Sequence, residues 1–410
     1  ATVRPRGGVA VTTGADGRAE LPPGSRLVQV QAAGHDPVPP VLVRAGAPVL
    51  VNLYQTRLQS PQYGGGPART RYVPAVRVPP PGRRRPAWTF DGRTLVEFPP
   101  AVADGLVVFG TNAGRVFALD ADTGEVVWAR RQKGYIASSP AIEAGLVYVT
   151  SMDGRISVYG SRGGRLRWRY STGGSPIESS PLVVDDEVYF GAWNGTLYSL
   201  DRLTGKVRWT FGASGDIKGS AALAGDLVVV ADYGGVVHGV RRSDGAEVWR
   251  APVGARFYGG PAVSGGKVVI GDVGGAVVCL DATTGREVWR HSTGAYVYSS
   301  PAIADGTVFI GSYAGSFQAL DLDTGAERWS FDVGGRISGS ATVVDGVVYT
   351  AVLSYPGEPK RTWGLDTGTG AVRYRGDDGR YSPAVGAGRT LYLVGTRTVD
   401  AYPAPKGSGP

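Results

Sequence analysis

Residues 118–128 read ALDADTGEVVW, and close variants of this stretch return three more times along the chain. They are SLDRLTGKVRW at 199–209, CLDATTGREVW at 279–289 and ALDLDTGAERW at 319–329. Degenerate copies end at Trp168, Trp249 and Tyr374. Self-similarity with a period of about 20 to 50 residues is typical of solenoids, propellers and other repeat arrays.

An aromatic residue closes each copy of the motif. The tryptophans stand 40 or 41 residues apart, and a tyrosine follows the last of them after 45 residues. The series is Trp88, Trp128, Trp168, Trp209, Trp249, Trp289, Trp329 and Tyr374. Such regular spacing predicts one structural unit per interval, with the large aromatic side chain filling the space between neighbouring units.

A second motif opens each unit. It reads SSPAI at 138–142, SSPLV at 179–183, GGPAV at 259–263 and SSPAI at 299–303. An alternating run such as LVYVTS follows, and glycine-rich turns separate the runs. Each unit therefore predicts four short strands, and inner strands are expected near Ala101, Ala141, Leu182, Ala221, Ala262, Ala302, Ala341 and Ala384. The fold class is all-β, an eight-bladed β-propeller with four-stranded blades.

The two ends of the repeat region complement each other. The last unit, YSPAVGAGRTLYLVGTRTVDAY, ends before any tryptophan strand, whereas AWTF at 87–90 is such a strand without a preceding unit. We expect the N-terminal strand to complete the last blade, since this joins the ring and removes a free edge.

The motif A-x-D-x-x-T-G-x-x-x-W resembles the PQQ-type propeller repeat over about 315 residues. That family includes quinoprotein dehydrogenases, the propeller lipoprotein of the outer-membrane β-barrel assembly complex and many exported proteins. The resemblance implies a structural role for the Asp, Thr, Gly and Trp of each motif.

The chain before the repeats divides into two further parts. Residues 1–55 alternate strands with turns and include ADGRAELPPG and RLVQVQAAGH, which resemble small carboxypeptidase-regulatory-like or PEGA-type β-sandwiches. Residues 56–86 are rich in Pro, Gly and Arg and predict an extended linker. The propeller is expected at 87–403, with a tail at 404–410.

The small sandwich lacks its usual opening strand before Gly8, unless residues 1–6 supply it. A sandwich without one strand exposes an edge that another chain can complete by strand addition. The segment RYVPAVRV, within 70–78, is a suitable donor. A homo-oligomer or filament formed through the N-terminal region is therefore a hypothesis.

The excess of positive over negative charge is confined to the front of the chain. The formal net charge is +8, but residues 1–87 hold 12 Arg against 3 acidic residues, and the remainder holds 31 basic against 32 acidic residues. The propeller is therefore nearly neutral, and nucleic acid is not an expected partner. No membrane span is visible in the sequence.

The sequence offers little for catalysis or for a cofactor. Cys279 is the only cysteine, so neither an intramolecular disulfide nor a thiol-based metal cluster is possible within the chain. The three histidines, His35, His238 and His291, fall in different units and do not predict a metal site. The resemblance implies that a quinoprotein dehydrogenase would need Ca²⁺ ligands, an aspartate base, often a vicinal disulfide, and long insertions. The single cysteine excludes the disulfide, the acidic residues are mostly the Asp of the repeat and the Asp or Glu of hairpins, and the long insertions are missing. A PQQ-dependent oxidoreductase remains an alternative, but we expect no cofactor.

One face of the predicted ring collects aromatic and charged loop residues. Loops that enter the inner strands and loops between second and third strands meet there. The candidate binding residues are Glu97, Tyr135, Glu178, Trp193, Lys218, Tyr233, Tyr258, Tyr298, Tyr313, Arg336 and Tyr381, with Phe257 and Tyr296 beside them. Tyr, Trp and Arg favour contact with a protein, peptide or glycan. An alternative is that these aromatic side chains only cap the blades.

These observations predict an extracytoplasmic, non-catalytic binding or scaffold propeller. A structural subunit of a surface filament is a second hypothesis, and the quinone-dependent enzyme is a third.

Overall fold

The computed structural model describes residues 59–74, 76–355 and 357–405, together with the backbone of four strands nearer the N terminus. These strands are β1 (Thr2–Pro5), β2 (Val11–Thr12), β3 (Leu27–Gln31) and β4 (Val41–Leu42). They form one antiparallel sheet in the order β2-β1-β3-β4. His35, residues 56–58 and the end of the tail from 406 lie outside the described residues.

β1 corrects the prediction that the opening strand is missing. It lies between β2 and β3, with Val3 opposite Val11 on one side and Val30 on the other. Its four residues include Arg4 and Pro5, and a short strand that ends in proline gives a weak sequence signal. The opening strand, whose absence suggested strand addition by another chain, is therefore supplied by β1 of the chain itself. The sandwich remains a prediction, since the described strands make a single sheet.

The repeat region folds as eight four-stranded sheets. The N-terminal strand is β5 (Trp88–Asp91). Blade 1 holds β6 (Ala101–Ala103), β7 (Leu106–Gly110), β8 (Arg115–Asp120) and β9 (Val126–Arg131); blade 2 holds β10 (Ala141–Glu143), β11 (Leu146–Ser151), β12 (Arg155–Gly160) and β13 (Leu166–Ser171). Blade 3 holds β14 (Leu182–Val184), β15 (Glu187–Gly191), β16 (Thr196–Asp201) and β17 (Val207–Gly212); blade 4 holds β18 (Ala222–Ala224), β19 (Leu227–Ala231), β20 (Val236–Arg241) and β21 (Glu247–Pro252).

The second half of the ring repeats the arrangement. Blade 5 holds β22 (Ala262–Ser264), β23 (Lys267–Gly271), β24 (Ala276–Asp281) and β25 (Glu287–Ser292); blade 6 holds β26 (Ala302–Ala304), β27 (Thr307–Gly311), β28 (Ser316–Asp321) and β29 (Glu327–Asp332). Blade 7 holds β30 (Thr342–Val344), β31 (Val347–Ala351), β32 (Thr362–Asp366) and β33 (Val372–Gly376); blade 8 holds β34 (Ala384–Ala387), β35 (Thr390–Val394) and β36 (Thr398–Pro403).

Blade 8 takes its outer strand from the front of the chain. β36 pairs with β5, with Ala401 opposite Trp88 and Thr398 opposite Asp91. The predicted ring closure and the eight-bladed fold class are both confirmed. Within the part of the chain that the structure describes, no helix is long and apolar enough to cross a bilayer.

The repeat motif links each blade to the next. In blade 5, Asp281 Oδ1 accepts hydrogen bonds from the Thr284 N–H and hydroxyl, both at 2.8 Å, and so shapes the hairpin. Gly285 follows with φ of +70°, and a β-carbon there would lie 2.5 Å from the ring of Trp249 in blade 4. The Trp249 indole N–H donates to the Ala282 carbonyl at 3.1 Å. The motif residues therefore hold the ring together.

The serine-proline motif forms a second set of links nearer the axis. In most blades a backbone N–H just before the inner strand donates to the serine hydroxyl of the following blade, at 2.8 to 3.3 Å. The pairs are Ser139 to Ser180, Ser180 to Ser220, Gly260 to Ser300, Ser300 to Ser340 and Ser340 to Ser382. A serine suits this position because its short side chain reaches the neighbouring backbone in a crowded channel, and Gly260 takes the equivalent position in blade 5.

The segment before the propeller is not the extended linker that its composition predicts. Residues 59–74, the channel plug, cross the axis and contact the inner strands. Plug carbonyls accept the backbone N–H of the second inner-strand residue in six blades, at 2.7 to 2.9 Å. The donors are Val102, Ile142, Leu223, Val263, Ile303 and Val343, and the acceptors are Ser60, Pro61, Pro67, Ala68, Thr70 and Arg71. In blade 3 the Gln62 side chain takes this place and bonds both backbone groups of Val183.

Two buried arginines fix the plug. Arg69 and Arg71 are 1% and 2% exposed. Arg69 donates to the carbonyls of Ala221 and Pro181 at 2.9 and 3.0 Å, and Arg71 donates to that of Ser340 at 3.2 Å. Burial lowers the pKa of Arg69 to about 9. Backbone carbonyls therefore replace water at both guanidinium groups, although the buried Nη1 atom of Arg71 has no hydrogen-bond partner among the described residues.

The plug also removes the proposed donor strand. Arg71 is buried among the inner strands, and Val76 and Val78 are buried against blades 7 and 8 beside Val344 and Leu391. The RYVPAVRV segment is therefore committed to its own propeller and is not available to another chain.

Candidate binding site in the central funnel

A cavity of about 270 Å³ opens at the N-terminal ends of the inner strands. The plug supplies its floor through Tyr63, whose hydroxyl donates to Ser300 Oγ at 3.1 Å and lies 3.0 Å from Ser340 Oγ. Arg71 lies 4.6 Å from the centroid of the Tyr63 ring. The cavity is therefore a funnel with a closed floor.

The structure brings most of the predicted binding residues together. The funnel lining includes Glu97, Glu178, Lys218, Tyr258, Tyr298, Tyr313 and Tyr381. Trp193 and Tyr233 stand behind Lys218, and Arg336 approaches from the rim. Two predicted positions lie elsewhere. Tyr135 is 44% exposed and is not part of the lining, and Phe257 is fully buried in the core between blades 4 and 5.

Two carboxylates stand in the funnel. The Tyr258 hydroxyl donates to Glu178 Oε1 at 2.8 Å, and the Trp193 indole N–H donates to Glu178 Oε2 at 3.2 Å. Burial nevertheless raises the pKa of Glu178 above its usual range. Burial and the charge of Glu178 together raise the pKa of Glu97 to about 7, and Arg380 opposes this rise. Both glutamates are therefore held away from water without full compensation.

Lys218 occupies an aromatic cage on the same side. Its Nζ lies 4.1 Å from the Tyr233 ring centroid, 4.3 Å from that of Trp193 and 5.6 Å from that of Tyr258. These distances are within the range of cation–π attraction. The wall of the funnel thus already holds one organic cation.

Tyrosines continue the wall through blades 5 and 6. Tyr298 packs edge to face against Tyr258 at 5.3 Å and against Tyr313 at 5.1 Å between centroids. Tyr296, which is 53% exposed, packs on both Tyr298 and Tyr313 and extends the row towards solvent. Because a tyrosine has few rotatable bonds, such a row presents contact area at a small entropic cost.

Blade 7 contributes funnel residues that the repeat motifs do not predict. The loop after β31 supplies Leu353 and Tyr355 to the funnel. Glu358 accepts hydrogen bonds from the Tyr355 N–H at 2.9 Å and from Arg336 at 3.0 Å, and so fixes the loop. The longer interval before Tyr374 was the available signal. Tyr63 was also missed, because residues 56–86 were interpreted as a linker, and Phe98 was missed although the neighbouring Glu97 was named from the same entry loop.

His238 has structural surroundings. His238 is buried between Asp232 at 3.1 Å and Glu247 at 2.6 Å. Burial raises the pKa of Asp232, but hydrogen bonds from His238 and from the Val236 N–H outweigh this effect and lower it. Among the described residues, no group of three or more His, Cys, Asp or Glu side chains is placed to hold a metal ion.

Four overlapping stretches of the chain match the sequence profile of one family. They are residues 81–233, 193–300, 233–375 and 273–402, and the family is described as outer membrane protein assembly factor BamB. The chain belongs to this family. Two curated BamB relatives match shorter stretches. That of Shewanella oneidensis is 30% identical over 128 residues, and that of Yersinia pestis is 32% identical over 127 residues.

Each of these matches covers 27% of this chain and 32% of the relative, so the chain matches about a third of the length of these BamB proteins. A quinone-dependent alcohol dehydrogenase subunit of Gluconobacter oxydans is 27% identical over 181 residues, which is 36% of this chain and 24% of that protein. Both classes named by the PQQ-type resemblance are thus represented among the relatives.

Solved structures share the fold. BamB from Moraxella catarrhalis superposes with a TM-score of 0.65 at 17% identity and covers 78% of this chain and 99% of that one. Quinohemoprotein alcohol dehydrogenase from Comamonas testosteroni superposes with a TM-score of 0.69 at 14% identity and covers 86% and 82%. The fold alone therefore does not distinguish a BamB-type propeller from an enzyme propeller. The residues that line the funnel can distinguish them.

The funnel does not fit a Ca²⁺-bound quinone. Calcium takes about six to eight oxygen ligands, among them carboxylates and amide carbonyls. Among the described residues that line the cavity, the carboxylates are Glu97 and Glu178, no Asn or Gln side chain accompanies them, and the Lys218 ammonium stands beside Glu178. The Lys218 ammonium beside Glu178 would repel a metal ion there, so this donor set is unsuited to the cofactor.

Proposed function

We propose that this chain is a non-catalytic scaffold outside the cytoplasm that holds a partner protein at the mouth of its funnel. The observation that carries the proposal is the blind cavity, which has an aromatic wall, a closed floor and partly compensated charges. A through-channel can conduct, whereas a blind funnel can only receive something that enters and leaves by one opening.

The composition of the wall favours a protein partner. Tyrosine, tryptophan and arginine are enriched where proteins meet and supply most of the binding energy there. A volume of about 270 Å³ is at or below the lower end for small-molecule pockets, about 300 Å³, and suits one side chain of a partner. The exposed Tyr296 at the rim adds contact area outside the cavity.

The family supports both the scaffold role and the location. Its description, outer membrane protein assembly factor, names a role in the assembly of outer-membrane proteins. Support for the filament hypothesis is weaker, because β1 fills the predicted vacancy and the plug holds the predicted donor strand.

Site-specific photocrosslinking tests the proposal. A benzophenone amino acid replaces Tyr298 in the full chain, and a matched variant carries it at Val207, which is exposed on an outer strand. Illumination of whole cells should give a discrete covalent adduct with a protein from position 298 and none from position 207. Equal adducts from both positions, or none from 298, would contradict the proposal.

The enzyme alternative has its own test. The purified chain is incubated with PQQ and Ca²⁺ and then desalted. We expect no quinone absorbance in the protein fraction, because the lining lacks the calcium ligands. Stoichiometric retention would refute the non-catalytic proposal.

A further inference from the structure

An arginine stands directly before the closing aromatic residue in blades 2, 3, 6 and 7. In three of these blades it pairs with the aspartate that begins the hairpin of the same blade. The pairs are Arg208 with Asp201 at 2.9 Å, Arg328 with Asp321 at 2.6 Å and Arg373 with Asp366 at 3.7 Å. In blade 2 the arginine is Arg167, and the hairpin position holds Gly160. Blade 2 therefore has the guanidinium without the carboxylate that the other three blades provide.

Gly160 is structurally equivalent to those aspartates. Its N–H donates to the Arg165 carbonyl at 2.9 Å, as the Asp201 N–H donates to the Lys206 carbonyl at 2.8 Å. A β-carbon at Gly160 would lie 3.1 Å from both Nε and Nη2 of Arg167. The guanidinium therefore lies over the position from which the aspartate side chain extends in the other blades, and Arg167 is exposed.

Contacts from blade 1 hold this hairpin without an aspartate. The Trp128 indole N–H donates to the Ser161 carbonyl at 2.6 Å. Arg130 donates to the carbonyls of Gly163 and Gly164 at 2.8 and 2.7 Å. The hairpin is therefore ordered before any partner arrives, which lowers the entropic cost of binding.

Positive charge is concentrated on this edge of the ring. Residues 160–171, the blade 2 edge, hold four arginines and no acidic residue, whereas the equivalent stretches of blades 1 and 3 to 7 have net charges between −3 and +2. The four are exposed, and none forms an ion pair with a carboxylate of the described residues; they are Arg162, Arg165, Arg167 and Arg169. Burial raises the pKa of Asp104 and Arg162 opposes this rise, so the charge of Arg162 is partly compensated. The other three arginines carry the excess charge.

We propose that the blade 2 edge binds an acidic segment of a partner protein, and that Arg167 receives from it a carboxylate in place of the missing aspartate. A carboxylate is the group that the same arginine binds in blades 3, 6 and 7, and a guanidinium bonds a carboxylate in a fork. Arg167 and Arg169 lie on one face of β13, about 7 Å apart along the strand, which is the spacing of alternate residues in an extended chain. An extended segment with acidic side chains at alternate positions therefore fits. This surface is on an outer strand, so it does not depend on the partner proposed for the funnel mouth.

The probe is a peptide of alternating glycine and aspartate that carries one photoreactive diazirine residue, and its matched control has asparagine in place of aspartate. Cross-links to the full chain are mapped by mass spectrometry, which separates the blade 2 edge from the arginines at the front of the chain. We expect the aspartate peptide to label residues 160–171 and the asparagine peptide to leave them unlabelled. Labelling should be lost at about 1 M salt, where the Debye length is about 3 Å. Equal labelling by both peptides, or no labelling of this edge, would overturn the proposal.

Two variants test the role of the missing aspartate. Arg167→Gln removes the guanidinium, and Gly160→Asp supplies the carboxylate from within the chain, since the flexible end of Arg167 can move to admit it. Each should reduce labelling about three- to fivefold, the effect of one exposed ion pair. The control is Arg208→Gln, which removes an arginine that is already paired and should leave labelling unchanged. Undiminished labelling in both test variants would overturn the proposal. If a variant does not fold, the comparison of the two peptides on the unaltered chain still tests it.

A lipid surface is the alternative source of anionic groups. Sedimentation with phosphatidylglycerol vesicles, compared with phosphatidylcholine vesicles, tests this source. If Arg167→Gln and Gly160→Asp weaken binding to the anionic vesicles while the aspartate peptide leaves residues 160–171 unlabelled, the partner is a membrane and the proposal of an acidic protein segment is overturned. Failure of the crosslink from position 298 would remove the funnel proposal and leave this one standing.

Discussion

Replacing Trp289 by alanine tests how the blades are joined. Its side chain is 8% exposed, and its indole N–H donates to the Leu322 carbonyl at 2.9 Å. The ring lies against Gly325, where a β-carbon would come within 2.6 Å of it. Truncating a large buried aromatic costs about 3 to 5 kcal/mol, of which the lost hydrogen bond contributes about 1 kcal/mol. We expect the free energy of unfolding to fall by this amount.

Denaturant unfolding followed by circular dichroism measures the effect. Trp289→Phe keeps an aromatic ring and removes the N–H donor, so it should cost less than the alanine variant. The control is Val288→Ala, since Val288 is 47% exposed on the same strand and should change stability by no more than about 0.5 kcal/mol. If Trp289→Ala unfolds at the same midpoint as the unaltered chain, the interpretation of the motif as an inter-blade link is refuted.

Four further predictions concern other parts of the molecule. Deleting residues 87–91 removes the outer strand of blade 8, so the whole propeller should melt at a lower temperature; an unchanged melting temperature would mean that the ring closes without it. Glu97→Gln should stabilise the protein by about 1 to 3 kcal/mol at pH 9 and by much less at pH 5, because the folded-state pKa of Glu97 is raised from 4.5 to about 7. The unaltered chain loses this part of its free energy of unfolding as pH rises from 4.5 through about 7, whereas the glutamine variant does not. Equal melting curves at pH 9 would contradict this. Cys279 is buried and its pKa is raised to about 12, so a thiol reagent should label it only after denaturation, and rapid labelling of the native chain would show that the strand is open. Gly64→Ala should lower the melting temperature, because φ is +77° and a β-carbon would lie 2.7 Å from Arg69 Cα; an unaltered value would argue against the plug conformation.

The repeat made the propeller predictable from the sequence. The four full motifs combine a hairpin Asp, a glycine with positive φ and a tryptophan. The degenerate copies keep the glycine and an aromatic residue, so one correct interpretation extends to the whole ring. The closing strand was predictable because Trp88 lacked a unit and the last unit lacked a tryptophan strand. Funnel residues such as Glu178 and Tyr298 followed from the blade register, since loops at equivalent positions share one face.

The channel plug could not be predicted because its conformation depends on contacts with inner strands that lie far away along the chain. Proline and glycine in PQYGGG and its surroundings predict a linker by composition. The same composition suits the plug. Pro61 and Pro67 offer carbonyls without needing partners for an N–H of their own, and the inner strands present backbone N–H donors to the plug. Only the closed ring reveals those donors. The prediction that Tyr135 lines the funnel was wrong for a related reason. The sequence shows on which face of the ring a loop lies, but not the direction in which each of its side chains points.

Hydrogen exchange on the full chain, with and without the partner protein identified by crosslinking, tests the central claim most directly. Binding at the funnel mouth should slow exchange of backbone amides at 256–260 and 296–300, where the entry loops carry Tyr258 and Tyr298, and should leave the outer strand β17 unchanged. Protection confined to outer strands, with the entry loops exchanging as in the free chain, would contradict the account of the funnel as the binding surface.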